Sequence, residues 1–597
     1  MPVQMGRLKS LRTLTAFVVG KSTGSCIGEL RELQQLGGKL SILKLQNVVD
    51  ARDALQANMK DKKDLKELEF SWGAEDADDS QKEKDVLDKL QPGLNLEKLT
   101  IRFYGGTNFS NWLGDSSFSN IQVMHLSDCR YCWSLPPVGR LPGLKELCIE
   151  RMKSLKTIGV EFYGRNGGSL IQPFQCLERL EFSEMEEWEE WVPSGSANAS
   201  GGEYGPDFPR LQELILTGCP KLRGNLPYEL PCLKRLWVSG CQVLHDVKPT
   251  TTTTISLNYK SLKELYIRRC QAGLLSLLET KFLSLLYFGN VVDVQCLPNC
   301  NRLQRLTLWD CPTLSSFPKD GLPTTLTSLS IYGCRKLEFL ADEMLAKLTS
   351  LDRLCIWNSC DSMRFLRLGI FPKLTSLDIG ECENLESLSI DENLSHLNNL
   401  CFPLSSFSVH GCEKLKSLPK RIHTLIALRS LSIRNVSNLE SFAEDGGLPP
   451  NLRDFSIENW KRRRASSSSA GEYCNWGLQA LVSLESFAIV GSDHVLETLL
   501  KEQLLPTTLR SLYISSLSTL KSLDGKGLEH LTSLQNLHIR QCDSLQCLPE
   551  EGLPPSLQRL SIYECSALEK RYKNKTGQDW AKISHIPCIE IDEEVII

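Results

Sequence analysis

A short pattern of apolar and polar positions recurs along the whole chain: leucine, two variable residues, leucine, one variable residue, then isoleucine, leucine, valine or phenylalanine. We count about 21 copies, roughly 20 to 34 residues apart, and the longer intervals carry insertions. Within each copy apolar and polar residues alternate, which predicts a short strand with one buried face. Clear copies lie at residues 211–219, 233–241, 262–270, 303–311, 326–334, 534–542 and 557–565.

One such repeat cannot fold by itself. Burying seven or so side chains gains roughly 2 kcal/mol each, whereas ordering about 24 residues costs about 1.5 kcal/mol apiece. Stacked neighbours supply the missing burial. The sequence therefore predicts an α/β fold, a leucine-rich-repeat solenoid (horseshoe) with a concave parallel β-sheet and a mostly irregular convex side.

The pattern divides the chain into three predicted parts. Residues 1–92 are N-terminal leucine-rich repeats with partly helical insertions, 93–565 are the solenoid, and 566–597 are a C-terminal capping segment. Leu8, Leu11 and Leu14 already follow the repeat, so we expect a truncated start. An uncapped first repeat exposes apolar surface. Residues 1–60 should therefore be the least stable part, or dock against another domain.

Cysteine recurs at one position of the pattern, which we place directly after the strand. The chain has no apolar leader segment at its start, so we expect a reducing compartment, where disulfides are rare. A small thiol buried in the turn explains this position better than metal or redox chemistry does. The cysteines concerned are Cys129, Cys219, Cys241, Cys270, Cys311, Cys334, Cys382, Cys412, Cys542 and Cys565.

Composition is that of a folded, soluble protein. Of the 597 residues, 41% are hydrophobic and 23% are charged, with a formal net charge of −4. That balance argues against a general nucleic-acid binder, which needs a basic excess. The chain contains no stretch of 18 apolar residues, so the sequence predicts no membrane span. We expect a cytoplasmic protein, with the nucleus as the alternative.

Several motifs imitate chemical sites. Residues 20–23 read Gly-Lys-Ser-Thr, but Thr15 stands where a phosphate loop needs its first glycine. The pairs Cys129/Cys132 and Cys296/Cys300 each lack the second pair of ligands that zinc requires. We therefore predict no catalytic residue, no metal and no cofactor, and the chain is not expected to be an enzyme.

Runs of charged or small residues are interpreted as insertion loops. They are the acidic run 76–85, the Gly/Ser-rich segment 194–205 and the threonine run 250–254. The basic residues 461–464, followed by serines, could also form a nuclear import signal or a phosphate-binding patch.

From about Leu8 onward the chain resembles the leucine-rich-repeat region of plant coiled-coil, nucleotide-binding, leucine-rich-repeat disease-resistance proteins. Four segments carry the resemblance. They are residues 11–72 (beginning LRTLTAFVVG), 126–164 (beginning LSDCRYCWSLPPVGRLPGL), MEEWEEW at 185–191 with 208–227 after it, and DWAKISHIPCIEID at 579–592.

The resemblance implies the protein-binding half of an intracellular immune receptor. Its partner would be a pathogen effector or a modified host protein, and in a full receptor also a nucleotide-binding switch domain. That domain's phosphate loop is absent from this sequence. The alternative is a stand-alone scaffold or adaptor, such as a ubiquitin-ligase substrate receptor, although no F-box-like segment precedes the repeats.

Aromatic residues mark the predicted binding surface on the concave side. Trp237, Tyr266 and Tyr287 share one exposed strand position in three repeats, and Trp309, Tyr332 and Trp357 share the next exposed position in three further repeats. With strands about 4.8 Å apart, we expect a nearly continuous stripe. Exposed aromatic clusters are typical of binding hot spots, but the rings could instead only stabilise the sheet. Polar selectivity is assigned to Arg268, Asp310, Asp378, His410, Arg434, His538 and Arg540.

Overall fold

The repeats form parallel strands, as the alternation predicts. The computed structural model describes residues 4–21, 25–74, 79–164, 172–193, 205–224, 226–227, 229–244, 259–270, 283–291, 294–295, 297–390, 402–439, 447–460, 476–573, 578–592 and 594–596. The chain divides into two compact units, Met1–Leu303 and Gln304–Ile597. This division falls inside the predicted solenoid of residues 93–565, and the predicted domain boundaries stay predictions.

The first unit carries a ladder of parallel strands. In order of pairing they are β1 Ala16–Val18, β2 Gly38–Leu43, β3 Leu65–Ser71, β4 Lys98–Arg102, β5 Val123–Ser127, β6 Glu146–Glu150, β8 Arg179–Ser183, β10 Glu213–Thr217, β11 Arg235–Ser239, β12 Glu264–Arg268 and β13 Leu285–Gly289. A separate parallel pair consists of β7 Thr157–Ile158 and β9 Glu190–Trp191. Two α-helices are α1 Ala51–Gln56 and α2 Ser80–Lys89.

The second unit repeats this arrangement. Its ladder strands are β14 Arg305–Trp309, β15 Ser328–Tyr332, β16 Arg353–Trp357, β18 Ser376–Gly380, β20 Ser406–His410, β21 Ser430–Arg434, β22 Asp454–Glu458, β23 Ser486–Val490, β24 Ser511–Ser515, β25 Asn536–Arg540, β26 Arg559–Tyr563 and β27 Cys588–Ile591. The strand β28 Glu594–Val595 is antiparallel to β27. A separate parallel pair consists of β17 Phe365–Arg367 and β19 Ser387–Ser389.

Short helices complete the connections between strands. The α-helices of the second unit are α3 Asp342–Leu345, α4 Asp493–Lys501, α5 Gly525–Glu529, α6 Ser566–Tyr572 and α7 Gln578–Ile583. The 3-10 helices are Met5–Arg7, Ile27–Glu32, Leu45–Asn47, Met59–Asp61, Asn111–Gly114, Val138–Arg140, Val160–Tyr163, Leu297–Asn299, Leu368–Ile370, Ile422–Thr424 and Leu478–Ala480. Each unit is therefore a leucine-rich-repeat solenoid whose strands are connected by short helices and irregular segments.

Most ladder strands bury two apolar residues and leave the variable positions on what we call the exposed sheet face. In β10, Leu214 and Leu216 are fully buried, and in β11 Leu236 and Val238 match them in register. Burying one such side chain contributes roughly 1.5–3 kcal/mol. Because the side-chain period is two, this burial also fixes which residues face outward.

The predicted cysteine position is one residue further from the strand than expected. A single residue in the left-handed region separates each strand from its cysteine, with φ between 50° and 69° at all ten sites. At nine of these sites its backbone N–H continues the ladder: that of Asp128 donates to the Glu150 carbonyl at 3.0 Å, and that of Gly411 to the Arg434 carbonyl at 2.8 Å. The N–H of Glu564 donates instead to the Asp592 side chain. Glycine, which adopts this conformation without strain, occupies four of the ten sites.

The prediction that these ten cysteines are buried is confirmed, since each is at most 8% exposed. Each thiol donates to the carbonyl oxygen two residues earlier, over 3.1–3.7 Å. Ser359 and Ser492 occupy the same position in their repeats and make the same bond, to Trp357 and Val490. The position therefore selects a small side chain that can donate a hydrogen bond.

The acidic run at 76–85 was predicted to be a loop, and from residue 80 onward this prediction is wrong. The Asp79 side chain accepts hydrogen bonds from the backbone N–H groups of Gln81 and Lys82, both at 3.0 Å, and so begins α2. Most of segment 194–205, the run 250–254 and the basic residues 461–464 lie outside the described residues.

Candidate protein-binding faces

The first unit holds a row of three aromatic side chains. Trp237, Tyr266 and Tyr287 occupy the central position of β11, β12 and β13 and are in register. The first two rings are stacked, with centroids 4.4 Å apart and planes at 17°, and the next pair is separated by 5.9 Å. Trp237 remains 43% exposed. The three predicted residues therefore form one row on the exposed sheet face, which we call the β11–β13 row.

A glycine shapes the edge of this row. Arg268, at the end of β12, lies beside Gly289 at the end of β13. A Cβ on Gly289 would come within 2.7 Å of the Arg268 Cγ, so the arginine stem lies over the space that a side chain would fill. On the other side of the row, the Nε of Arg235 lies 3.2 Å from a Glu213 carboxylate oxygen.

The second unit holds its own aromatic row. Trp309, Tyr332 and Trp357 end β14, β15 and β16 and are in register. The Trp309 and Tyr332 ring centroids are 4.8 Å apart, and Trp309 is 41% exposed. The thiol of Cys355 donates to the Tyr332 hydroxyl at 3.2 Å. We call this set the β14–β16 row.

His410 extends the second row across an intervening strand. Its ring stacks on Trp357, with centroids 5.0 Å apart and planes at 18°. In register, Gly380 of β18 lies between these two residues. A Cβ there would meet the Trp357 ring at 2.4 Å, so only glycine lets the two rings meet. His410 Nε2 also lies 3.1 Å from Asn435 Nδ2.

The other predicted polar residues are dispersed. Asp378 lies at the centre of β18, with Oδ2 3.8 Å from the Cys355 sulfur. Asp310 is the left-handed residue after β14, and its N–H donates to the Tyr332 carbonyl. Arg434, His538 and Arg540 lie on the strands β21 and β25. Burial lowers the pKa of His538, and Arg540 pairs with Glu564 at 3.4 Å.

One group of side chains in the described part of the chain could hold a metal ion. Ligand atoms of Cys148, Glu150 and Glu181 lie within 4.8 Å of one another. Both carboxylates already bind arginines, Glu150 to Arg151 at 3.1 Å and Glu181 to Arg179 at 2.9 Å. Burial and the two carboxylates raise the pKa of Cys148 and so oppose the thiolate that a metal needs. These ion pairs explain why the three side chains lie close together.

The motifs that imitate chemical sites lie in ordinary repeat positions. Cys129 and Cys132 are both fully buried, and the Cys132 thiol donates to the Gly106 carbonyl at 3.0 Å. Burial raises the pKa of Cys129 to about 12, which keeps it a thiol rather than a reactive thiolate. Ser22, Thr23 and Cys296 lie outside the described residues.

Thiol reactivity should follow this burial. We expect Cys26 and Cys232, which are exposed, to react with iodoacetamide in the native protein. Cys129 and the nine equivalent thiols should react at least about a hundredfold more slowly, because reagent reaches them only after local unfolding. Peptide mass spectrometry of a labelling time course measures both rates. Equal rates at Cys129 and Cys232 would contradict the packing described above.

Comparison with known proteins agrees with the repeat pattern. Residues 27–152 match the family described as R13L1/DRL21 LRRs. The chain is 38% identical over 351 residues to the putative disease resistance RPP13-like protein 1 of Arabidopsis thaliana, covering 54% of this chain and 32% of that protein. It is 27% identical over 774 residues to the putative disease resistance protein At3g14460 of the same plant, covering 98% and 53%.

A third relative comes from another plant. The putative disease resistance protein RGA1 of Solanum bulbocastanum is 37% identical over 147 residues, covering 24% of this chain and 15% of that protein. The chain thus spans about half or less of the length of these relatives. No described helix is long and apolar enough to cross a membrane. The resemblance found in the sequence is confirmed, and the chain is a leucine-rich-repeat chain related to plant disease resistance proteins.

Proposed function

We propose that the chain recognises a pathogen effector or a modified host protein in plant defence, by binding it on the exposed sheet face of each unit. The observation that carries the proposal is the pair of aromatic rows. Trp237 and Trp309 keep 43% and 41% of their surface exposed although each lies within a ring stack. Large aromatic side chains that stay accessible on a rigid sheet are typical anchors of protein interfaces.

The repeat fold and the plant disease resistance relatives support a non-catalytic role for this repeat domain. The proposal places the protein in the cytoplasm, and any nucleotide-dependent signal would come from a switch domain outside these residues. Affinity would come mainly from the aromatic anchors, while charged side chains around them would select the partner. The alternative role of the rings is to stabilise the sheet by cross-strand stacking. Binding and stability measurements on the same variants separate the two roles.

Removing two rings of the β14–β16 row should weaken partner binding at least tenfold. The full chain is used to select binders from a library of secreted pathogen effectors and host proteins, and each dissociation constant is then measured by biolayer interferometry. The double variant Trp309→Ala/Trp357→Ala carries the test. Phe365→Ala is the matched control, because Phe365 is 65% exposed but lies on β17, outside the ladder.

Two results would contradict the proposal. One is unchanged affinity of the double variant when circular dichroism shows an intact fold, which would leave the rings a role in the sheet alone. The other is an equal loss in Phe365→Ala, which would place the binding surface away from the exposed sheet face.

A further inference from the structure

The surroundings of the β11–β13 row are strongly basic, unlike the chain as a whole. Residues 233–241, 262–270 and 283–291 carry five basic side chains and one acidic side chain, whereas the whole chain has a net charge of −4. The acidic one is Glu264, on β12. The basic side chains are all exposed and are Lys234, Arg235, Lys263, Arg268 and Arg269.

These charges stand at both ends of the strands, with the aromatic row between them. Arg235 is the first residue of β11, and Arg268 is the last residue of β12. Arg235 and Arg179 both form an ion pair with Glu213. Lys263, Arg268 and Arg269 form no ion pair with any residue in the described part of the chain. At the end of the strands, Arg268 and Arg269 therefore flank the row without an ion-pair partner in the described residues. At the start of the strands, Arg235 pairs with Glu213 and lies in register with Glu264.

The spacing suits a segment of extended polypeptide. Three neighbouring strands about 4.8 Å apart span roughly 10 Å, the length of about three extended residues. Arg235 and Arg268 lie two residues along their strands from the row, about 7 Å away, and Lys234, Lys263 and Arg269 lie one residue further. Aspartate or glutamate side chains of a segment that follows the row could reach the basic groups on either side.

The ring geometry favours a peptide over a nucleic acid. The Trp237 and Tyr266 rings cover each other's faces, with centroids 4.4 Å apart. No base can insert between rings at this distance, and stacking on open ring faces is what single-stranded nucleic acids require. The outward ring edges instead suit contact with aliphatic or aromatic side chains.

From these observations we infer that the β11–β13 row with its basic flanks binds an acidic, extended protein segment that carries one or two apolar anchors. The apolar side chains would pack on the Trp237, Tyr266 and Tyr287 ring edges, and the carboxylates would pair with the basic flanks. This inference rests on the proposed function and names the chemistry of one partner segment.

The test uses the full chain and a fluorescein-labelled peptide, Glu-Asp-Leu-Tyr-Leu-Asp-Glu, with binding followed by fluorescence anisotropy at low salt. We expect binding that weakens at least tenfold when Gln and Asn replace the acidic residues, because the charge pairing is then lost. Arg268→Glu should weaken binding about tenfold. Gly289→Ala, which keeps every charge but displaces the Arg268 stem, should weaken it about threefold.

Arg102→Glu is the matched control, because Arg102 is exposed and ends its strand β4 as Arg268 ends β12. It should leave peptide binding unchanged. The inference is overturned if the amide peptide binds equally well, if Arg102→Glu and Arg268→Glu have equal effects, or if an oligothymidylate of similar length binds more tightly. The proposed function fails separately, through its own test on Trp309 and Trp357.

Discussion

Replacing Trp188 with alanine is expected to lower the free energy of unfolding by about 3–5 kcal/mol. Trp188 is fully buried, its ring centroid lies 4.8 Å from that of Phe182 and 5.5 Å from that of Trp191, and its Nε1 donates to the Glu190 carbonyl at 2.8 Å. Alanine would leave a large cavity in this aromatic cluster and an unpaired carbonyl beside it. Urea unfolding followed by circular dichroism measures the loss.

Trp133→Ala is the control for this prediction, because Trp133 is 59% exposed in the same unit. Its effect should stay within about 0.5 kcal/mol, as for most surface substitutions. A loss below about 1 kcal/mol at Trp188, or equal losses at the two sites, would show that the cluster is not packed as described.

The second large effect is expected at Lys62, which is only 2% exposed. Its Nζ donates to the carbonyl oxygens of Leu30 and Leu33 at 2.6 and 2.9 Å, where the 3-10 helix Ile27–Glu32 ends. Methionine of similar length would fill the space but remove the Nζ donor from both carbonyls, and only that of Leu30 would keep a partner, the Leu33 backbone N–H. Lys62→Met should therefore cost about 2–4 kcal/mol. Lys63→Met, at the exposed neighbouring position, should cost almost nothing.

The loss of unfolding free energy in Lys62→Met should increase with pH. Burial lowers the pKa of Lys62 from 10.5 to about 8. Between these values the unfolded chain binds more protons than the folded chain, so the contribution of Lys62 to the free energy of unfolding rises as pH rises. Below about pH 8 the amine is charged in both states, and the contribution is constant. The difference in unfolding free energy between the wild type and Lys62→Met should increase from pH 8 to pH 10, and a decrease would contradict the assignment.

The ladder strands follow directly from the sequence, because alternation with a period of two fixes which residues are buried. Leu377 and Ile379 of β18, for example, match Leu354 and Ile356 of β16 without a shift. The left-handed residue before each cysteine was less visible, since Asp, Arg, Glu, Gln and Gly all occupy that position. The left-handed conformation therefore does not depend on one side-chain type. Helical insertions were predicted within residues 1–92, but the start of α2 was interpreted as a loop because its cap, Asp79, lies within a run of charged residues typical of a solvated loop.

The candidate faces were predicted only in part. Counting positions along each strand correctly places Trp237 beside Tyr266 and Trp309 beside Tyr332. The stack of Trp357 on His410 could not be predicted from strand order, because it bypasses the strand between them. The signal was the glycine at position 380, where the repeat usually carries a side chain. Gly289 is a second example, because the Arg268 stem lies over the space that a side chain at position 289 would fill.

Hydroxyl-radical footprinting of the chain with a selected protein partner tests most directly whether the exposed sheet face is the binding surface. It reports the oxidation rate of individual side chains with and without the partner. The account predicts protection of Trp237 or Trp309 on the ladder, with no change at Trp133 and Phe365, which are exposed outside it. Protection of Trp133 or Phe365 with both ladder tryptophans unchanged would contradict the account.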